Sequence, residues 1–416
     1  MSKQLKLGLF GFGCVGQGLY DVFNGTQGFK AEIVKIVVKD RTKKRSLAAE
    51  YFSFDKNDIL QNPDINVVVE MIDTADEAYE IVTTALKNGK HVVTANKKMV
   101  AEHHQELVEL QQKHGVSLLY EASSCGSIPI IRNLEEYYDN DLLNSVSGIF
   151  NGSSNYVLSK VFNEGLAYDT AVKQALDLGF LETNPILDLG GFDAKYKLCI
   201  ITAHAYGLFV KPEEVFNLGI QNFSTEDVSY AREKGYKIKL VPIVKKLDDA
   251  TITLFVLPQF VGKSHKLYNV ENEFNAVVAE AAFAEQQLFY GKGAGGHPTG
   301  SAVLSDISAL RYGYSYEYKK VLQNENKLKY TTNVDLNIYL RYKDADLPGK
   351  LGFKEINEQF SSKNFKYVVG TISLQKLIDN RELIDNPNVA VISLGDVAKS
   401  LVNENVEEAI LEESHK

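Results

Sequence analysis

The stretch LKLGLFGFGCVGQGLYDVF, residues 5–23, constrains the fold more than any other part of the chain. It opens with a short apolar run of strand type and continues, from Cys14, with apolar residues at helical spacing. Gly11, Gly13 and Gly16 occupy the turn between the two as GxGxxG. Glycine there permits a tight turn, lets a pyrophosphate approach the backbone, and lets the helix pack closely. The helix N-terminus then attracts the anion. The bare pattern is weak, but between a strand and a helix it reads as dinucleotide binding rather than a mere tight turn.

The alternation continues. AEIVKIVVKD, NVVVEMI, HVVTA and VSLLYEAS read as strands, while DEAYEIVTTALKNG (closed by Gly89) and AEHHQELVELQQKHG read as amphipathic helices. Such alternation predicts a Rossmann-type, doubly wound parallel α/β sheet, with ligands beyond the carboxyl ends of its strands. TANKKM and EASSCGSIP stand at two of those ends, which makes Lys97 a site candidate. The residues after the second strand meet the adenosine ribose. Asp40 there suits a free 2′-hydroxyl and hence NAD. Lys39, Arg41, Lys43, Lys44 and Arg45 suit a 2′-phosphate and tip the expectation to NADP, with NAD and a plain solvated charge run left open.

Further on, GGFDAKYKL puts Asp193 four residues before Lys197, on one face of a helix. Taken alone, such a pair belongs on a solvated surface and contributes little. Bulk properties narrow the classes. A chain of 416 residues has material for two or three domains. A net charge of −9 gives no broad basic surface for nucleic acid. Cys14, Cys125 and Cys199 form no CxxC pair and no metal spacing, which fits a reduced, cytoplasmic protein. MSKQLKLGLFGFG lacks the layout of a signal peptide, and no apolar stretch approaches the ~18 residues of a membrane span.

Five stretches in fixed order make a more specific statement: HVVTANKKMVAEH, YEASSCGSIPIIRNLEE, IFNGSSNYVLSKV, GFLETNPILDLGGFDAKYKL and FYGKGAGGHPTGSAVLSDI. Across roughly residues 5–310 the chain resembles homoserine dehydrogenase. The resemblance implies NAD(P)-dependent interconversion of L-homoserine and L-aspartate 4-semialdehyde, on the route to threonine and methionine. It matches Lys197 and Lys97 to the family's lysines, with Asp193 orienting Lys197. A lysine that takes a proton must first lose its own, and two ammonium groups in one pocket are expected to depress each other's pKa. In the reducing direction the same lysine protonates the developing alkoxide.

The resemblance further implies substrate contacts at Glu182, Asp188, Asp193 and Gly152. Cofactor contacts fall on Gly11, Gly13, Cys14, Val15, Gly16, Lys39, Arg41, Thr94, Asn96, Lys97 and Gly295. NGSSN would lie near nicotinamide and substrate, and GKGAGG would pack back on the cofactor. Glu121, with backbone oxygens of Ser124, Gly126 and Ile128, matches a site for a monovalent cation such as sodium, oxygen ligands suiting a hard ion. A glutamate capping a helix without metal is the competing reading. The family resemblance also suggests a homodimer or larger homo-oligomer, built through the sheet of the middle domain.

Three departures stand out. DTADEA, residues 73–78, replaces a Gly-Gly turn, and its added carboxylates are expected to oppose an anionic dinucleotide. SSCGS is less rich in small residues than the family's cation loop, and Gly300 stands where alanine is usual. The expected layout is a dinucleotide-binding domain over 1–135, an α+β catalytic and dimerisation domain over 136–310, a connecting segment over 311–333, and an α+β domain over 334–416. In that last part DLNIYLRYKD reads as a strand, LPGKLGFKEINEQFSS as a Pro-Gly turn into a helix, and FKYVVGTIS as a strand. This outline resembles an ACT regulatory domain sensing an amino acid, with a dimer-stabilising remnant as the alternative. The rival readings of the whole are another Rossmann dehydrogenase for a small amino-acid semialdehyde, and a non-catalytic dinucleotide sensor. Neither has a reason to keep Lys97, Asp193 and Lys197 together.

Overall fold

Every strand of the first sheet runs the same way. Strands β1 (Leu5–Phe10), β2 (Ala31–Val37), β3 (Phe52–Ser53), β4 (Val67–Glu70), β5 (His91–Thr94) and β6 (Leu118–Leu119) are joined in the order β3-β2-β1-β4-β5-β6, each neighbour parallel. Between them run helices α1 (Cys14–Gly25), α2 (Ala75–Lys87) and α3 (Lys97–His114). The order reverses between β1 and β4, which opens a crevice at their carboxyl ends. The computed structural model describes residues 4–140, 142–181, 183–324, 327–363 and 365–400, in two compact units, one ending at Tyr330 and one beginning at Thr331.

Within the first unit a second sheet follows. Strands β7 (Leu143–Ile149), β8 (Lys237–Lys246), β9 (Thr251–Val261), β10 (Phe274–Ala281) and β11 (Glu285–Lys292) lie in the order β11-β10-β7-β8-β9, all antiparallel. Helices α4 (Gly152–Glu164) and α5 (Phe192–Tyr206) pack on this sheet, and α5 also packs on α3. Thirteen of the fifteen residues of α5 are buried, the mark of an enclosed helix. Its ions are therefore not a surface pair.

The chain then returns to the first sheet. Helix α6 (Gly296–Leu310) crosses α1 with the two backbones nearly touching. A Cβ on Gly18 would lie 2.1 Å from the Gly296 carbonyl oxygen, and one on Gly300 would lie 2.5 Å from the Leu19 nitrogen. The departure at Gly300 thus accompanies a close crossing here. The segment expected to connect domains instead enters the core: Tyr316 and Tyr318 are buried, and Lys329–Tyr330 pairs with β9. Tyr314, Tyr316 and Tyr318 alternate, and burial of that apolar surface outweighs the charge around it.

The second unit contains β12 (Val334–Tyr342), α7 (Leu347–Leu351), β13 (Glu355–Ser361), β14 (Lys366–Ser373), α8 (Leu374–Asp379) and β15 (Ala390–Lys399). The antiparallel order β15-β12-β14-β13 gives a split βαββαβ unit of ferredoxin-like type. Its helix is the short LPGKL turn itself; EINEQFS, expected to be helical, is the edge strand β13. Pairing with β14 overrides local preference there.

Candidate active site

α3 brings one lysine to the crevice and α5 brings another. Asn96 caps α3, its Oδ1 accepting the Met99 N–H at 3.0 Å. Lys97 is therefore the first residue of α3, four residues before the helix expected from AEHHQ. The polar TANKK start hides a cap signal that Asn before a helical run does carry. Asp193, in the first turn of α5, lies between the two cations. Its Oδ1 is 2.9 Å from Lys97 Nζ, and its Oδ2 is 2.7 Å from Lys197 Nζ. Lys197 also donates to the Phe150 carbonyl at 2.6 Å.

Asn151 opens NGSSN, the stretch expected near nicotinamide and substrate, and its side chain holds two carboxylates of the site. It caps α4 through its Oδ1, which accepts the Ser154 N–H at 2.8 Å. Its Nδ2 donates to Asp188 at 2.6 Å and to Asp193 Oδ2 at 2.9 Å. The Asn in NGSSN was a visible cap signal, but its second task depends on tertiary placement.

Burial pulls the Asp193 carboxyl up, yet Lys197, Lys97 and Asn151 outweigh it and hold it well below the usual carboxylate range. Asp188 goes the other way, pushed up by burial and by Asp193. For Lys97 the Asp193 carboxylate is the largest influence, and it raises the ammonium's pKa against burial. The expected depression of Lys97 by a neighbouring ammonium is thus reversed. A carboxylate shared by two cations screens each from the other.

These groups line a cleft of about 490 Å³, within the usual range for small-ligand sites. Val15, Asn96, Lys97, Gly126, Gly152, Asp188, Asp193, Lys197 and Gly295 all reach it. Glu182 lies outside the described residues. Of the DTADEA carboxylates only Asp73 lines the cleft; Asp76 and Glu77 sit in the first turn of α2, where the helix dipole favours them. Glu77 is paired with Lys39.

Beneath the cleft lies the glycine turn. Gly11 has φ 93°, and a Cβ there would lie 2.7 Å from the Met71 carbonyl oxygen. A Cβ on Gly16 would meet the Gly11 carbonyl at 2.7 Å, whereas one on Gly13 would meet nothing within 4 Å. Two glycines make the turn and the third leaves it open above. No side chain caps α1 at Gly13, so the Cys14–Gly16 end of the helix faces that opening with free donors. These features fit a dinucleotide pyrophosphate.

At the ribose end, Asp40 Oδ1 accepts the N–H groups of Thr42 and Lys43 at 2.7 and 3.2 Å, while Arg41 lies over the Phe54 ring at 4.3 Å. Thr94 points inward: its hydroxyl donates to Glu70 at 2.5 Å and accepts the Asn96 N–H at 3.0 Å. Glu70 also accepts the Ile72 N–H at 2.6 Å, and burial pushes its carboxyl up to about 7.

Glu121 is buried below the cleft. Its two oxygens accept the N–H groups of Ile131 and Arg132 at 2.8 and 3.0 Å, a helix-capping arrangement. Burial and then Asp306 push it up to about 8. Ser124 and Cys125 are buried beside it, and the Ile128 carbonyl accepts the Ile130 N–H at 2.8 Å. Behind the lysines, the Tyr120 hydroxyl lies 2.6 Å from His104 Nε2, 2.9 Å from His204 Nε2 and 2.5 Å from the Tyr318 hydroxyl. His104 is on α3 and His204 on α5, so this buried cluster ties together the two helices that carry the lysines.

Comparison with known proteins points to one family. The family model described as homoserine dehydrogenase matches residues 129–308, and that described as homoserine dehydrogenase, NAD binding domain, matches residues 11–121. A homoserine dehydrogenase of Bacillus subtilis (strain 168) is 34% identical over 378 residues, spanning 88% of this chain and 87% of its own. The crystal structure of a homoserine dehydrogenase from Thiobacillus denitrificans superposes with a TM-score of 0.83 at 30% identity, covering 95% of this chain and 99% of that one. A hyperthermophilic archaeal homoserine dehydrogenase in complex with NADPH superposes at 0.65 with 26% identity, covering 76% and 99%.

Proposed function

The chain belongs to the homoserine dehydrogenase family, and on that premise we propose that its cleft interconverts L-homoserine and L-aspartate 4-semialdehyde, with Lys197 moving the proton. The nicotinamide dinucleotide supplies or accepts the hydride. Asp193, between two ammonium groups 2.9 and 2.7 Å away, is the observation that carries the reading.

Lys197 uses two of its three donors on Asp193 and Phe150, which leaves one for a substrate oxygen. It protonates the alkoxide that forms when the aldehyde is reduced, and it takes the hydroxyl proton in the reverse direction. Lys97, 43% exposed at the cleft wall and kept charged by Asp193, stabilises the same developing negative charge. Asp188, raised by burial, has reason to take the substrate ammonium, whose charge offsets the neighbouring Asp193.

NADP is the cofactor we assign, because Asp40 turns one oxygen into its own loop while the Arg41 guanidinium, over the Phe54 ring, offers a fork for a 2′-phosphate. A monovalent cation at Glu121, with backbone oxygens of Ser124, Gly126 and Ile128, would offset two buried carboxylates, Glu121 and Asp306, that share the single guanidinium of Arg132. The second unit is assigned as an ACT-like domain on its βαββαβ order. A cytoplasmic homodimer completes the proposal. Among the described residues no helix is long and apolar enough to cross a membrane, and strand β11 exposes Leu288 and Tyr290 along the sheet.

The test is consumption of NADPH by the purified chain with L-aspartate 4-semialdehyde, and of NADH in parallel. Turnover with a lower KM for NADPH is expected. No turnover with either cofactor overturns the assignment; a preference for NADH overturns the cofactor alone.

A further inference from the structure

Phe150 and Asn151 hold the groups of the proton-transfer site in place. The Phe150 carbonyl accepts from Lys197, and the Asn151 side chain holds Asp193 and Asp188. These two residues directly follow β7, whose Ile149 pairs with Ala276 of β10. By that register Asn275 stands beside Phe150. Its Nδ2 donates to the Phe150 carbonyl at 2.9 Å, so that one oxygen receives both the asparagine amide and the lysine ammonium. The orientation of the amide follows from this contact, since the flipped amide would set two oxygens together.

Three further facts separate Asn275 from an ordinary core residue. It is fully buried. Among the described residues its Oδ1 has no hydrogen-bond partner, a cost that an apolar residue of similar size would avoid. Its amide also lies flat against the glycine loop that lines the cleft: a Cβ on Gly293 would come within 2.1–2.2 Å of the Asn275 amide atoms. One side chain therefore touches both the carbonyl that holds Lys197 and the loop expected over the dinucleotide.

We propose that Asn275 is a positioning residue for proton transfer: it fixes the Phe150 carbonyl from the β10 side, so that Lys197 keeps one donor aimed at the cleft, and it ties that carbonyl to the glycine loop at Gly293. The inference rests on Lys197 carrying the proton. The charged and titratable groups facing Lys197 are Asp193 on its own helix, Lys97 from α3, Asp188 from the turn before α5, and Cys125 from the loop after β6. Burial pushes the Cys125 thiol up to about 12, so it stays neutral. From β10 the contact is Asn275.

The test compares Asn275→Asp and Asn275→Ala with the parent enzyme and with Lys197→Ala. Rates of homoserine oxidation are followed against pH, with melting temperatures alongside. Asn275→Asp is nearly isosteric; when ionised it sets an oxygen in place of the Nδ2 donor against the Phe150 carbonyl and adds a negative charge near the ammonium that this carbonyl holds. Its kcat profile should move to higher pH by about one unit, with activity recovering as pH rises. Asn275→Ala should lower kcat by about tenfold or more while KM for homoserine changes much less, the signature of lost positioning. An unmoved profile in Asn275→Asp, with Lys197→Ala inactive, overturns the role of Asn275 and leaves that of Lys197 standing. An active Lys197→Ala overturns both.

Discussion

Asp193 sets the chemistry of the two lysines because it is shared. A buried carboxylate with one cation partner would leave a second ammonium in the same cleft repelled and partly deprotonated; with a cation on each oxygen, Lys97 stays charged. Removing Lys97 should therefore do two things. Lys97→Ala should cut kcat by roughly 10²-fold, and the pH optimum of homoserine oxidation should rise, because Lys197 loses a cationic neighbour while keeping Asp193. A pH optimum that stays put, or falls, would mean that the two lysines do not share a site. The spacing Asp193–Lys197 was legible in the sequence because a helix puts such residues together. That Lys97 lies at the cleft was legible from its place after a strand end; that it joins this pair came from resemblance, since it arrives from a different helix. Asn151 and Asn275 carried no local sign of their roles: one is a helix cap, the other an asparagine inside a strand.

Among the elements, the carboxyl ends of β4 and β5 meet at a single buried carboxylate. Glu70 holds the Ile72 N–H and the Thr94 hydroxyl, and so fixes the loop that brings Met71, Ile72 and Asp73 to the cleft. Its pKa is raised from the ordinary value to about 7 by burial. A group whose folded pKa is raised stabilises the fold below its unfolded pKa, and that contribution is lost as pH rises through the folded value. The parent protein should accordingly lose thermal stability as pH rises from about 4.5 to about 7, and Glu70→Gln should flatten that slope. A slope unchanged in Glu70→Gln would assign the loss to other groups. The parallel strands themselves were plain in the sequence as short β-branched runs. The boundary of α3 was not, because its first turn is polar, and neither was β13, whose pairing with β14 overrides a helical look.

At the scale of the molecule, the residues proposed for hydride and proton transfer end within α6, but the first unit continues to Tyr330. The Tyr318 hydroxyl reaches Tyr120, and Tyr330 hydrogen-bonds to the Glu214 carbonyl at 3.3 Å. A chain cut between 310 and 318 should therefore lose its fold, whereas one ending just after Tyr330 should remain active and lose any response to threonine or methionine. A folded but inactive chain ending after Tyr330 would show that the second unit belongs to the catalytic core. The residues 311–330 looked like a linker because they are charged and rich in Lys, Asn and Tyr, and their buried tyrosines take effect only against α3 and α5.

The pair of lysines around Asp193 is tested most directly by Lys197→Ala. Losing one partner of a buried ion pair usually costs about 3–5 kcal/mol because a charge is left alone. Here Asp193 keeps Lys97 at 2.9 Å and Asn151 at 2.9 Å, so the fold should survive. Measured together, NADPH binding by fluorescence titration and kcat with L-aspartate 4-semialdehyde should separate: binding near that of the parent, and kcat lower by roughly 10²-fold or more. Parental kcat in Lys197→Ala, with the protein folded and NADPH bound, would contradict the assignment of the proton to Lys197.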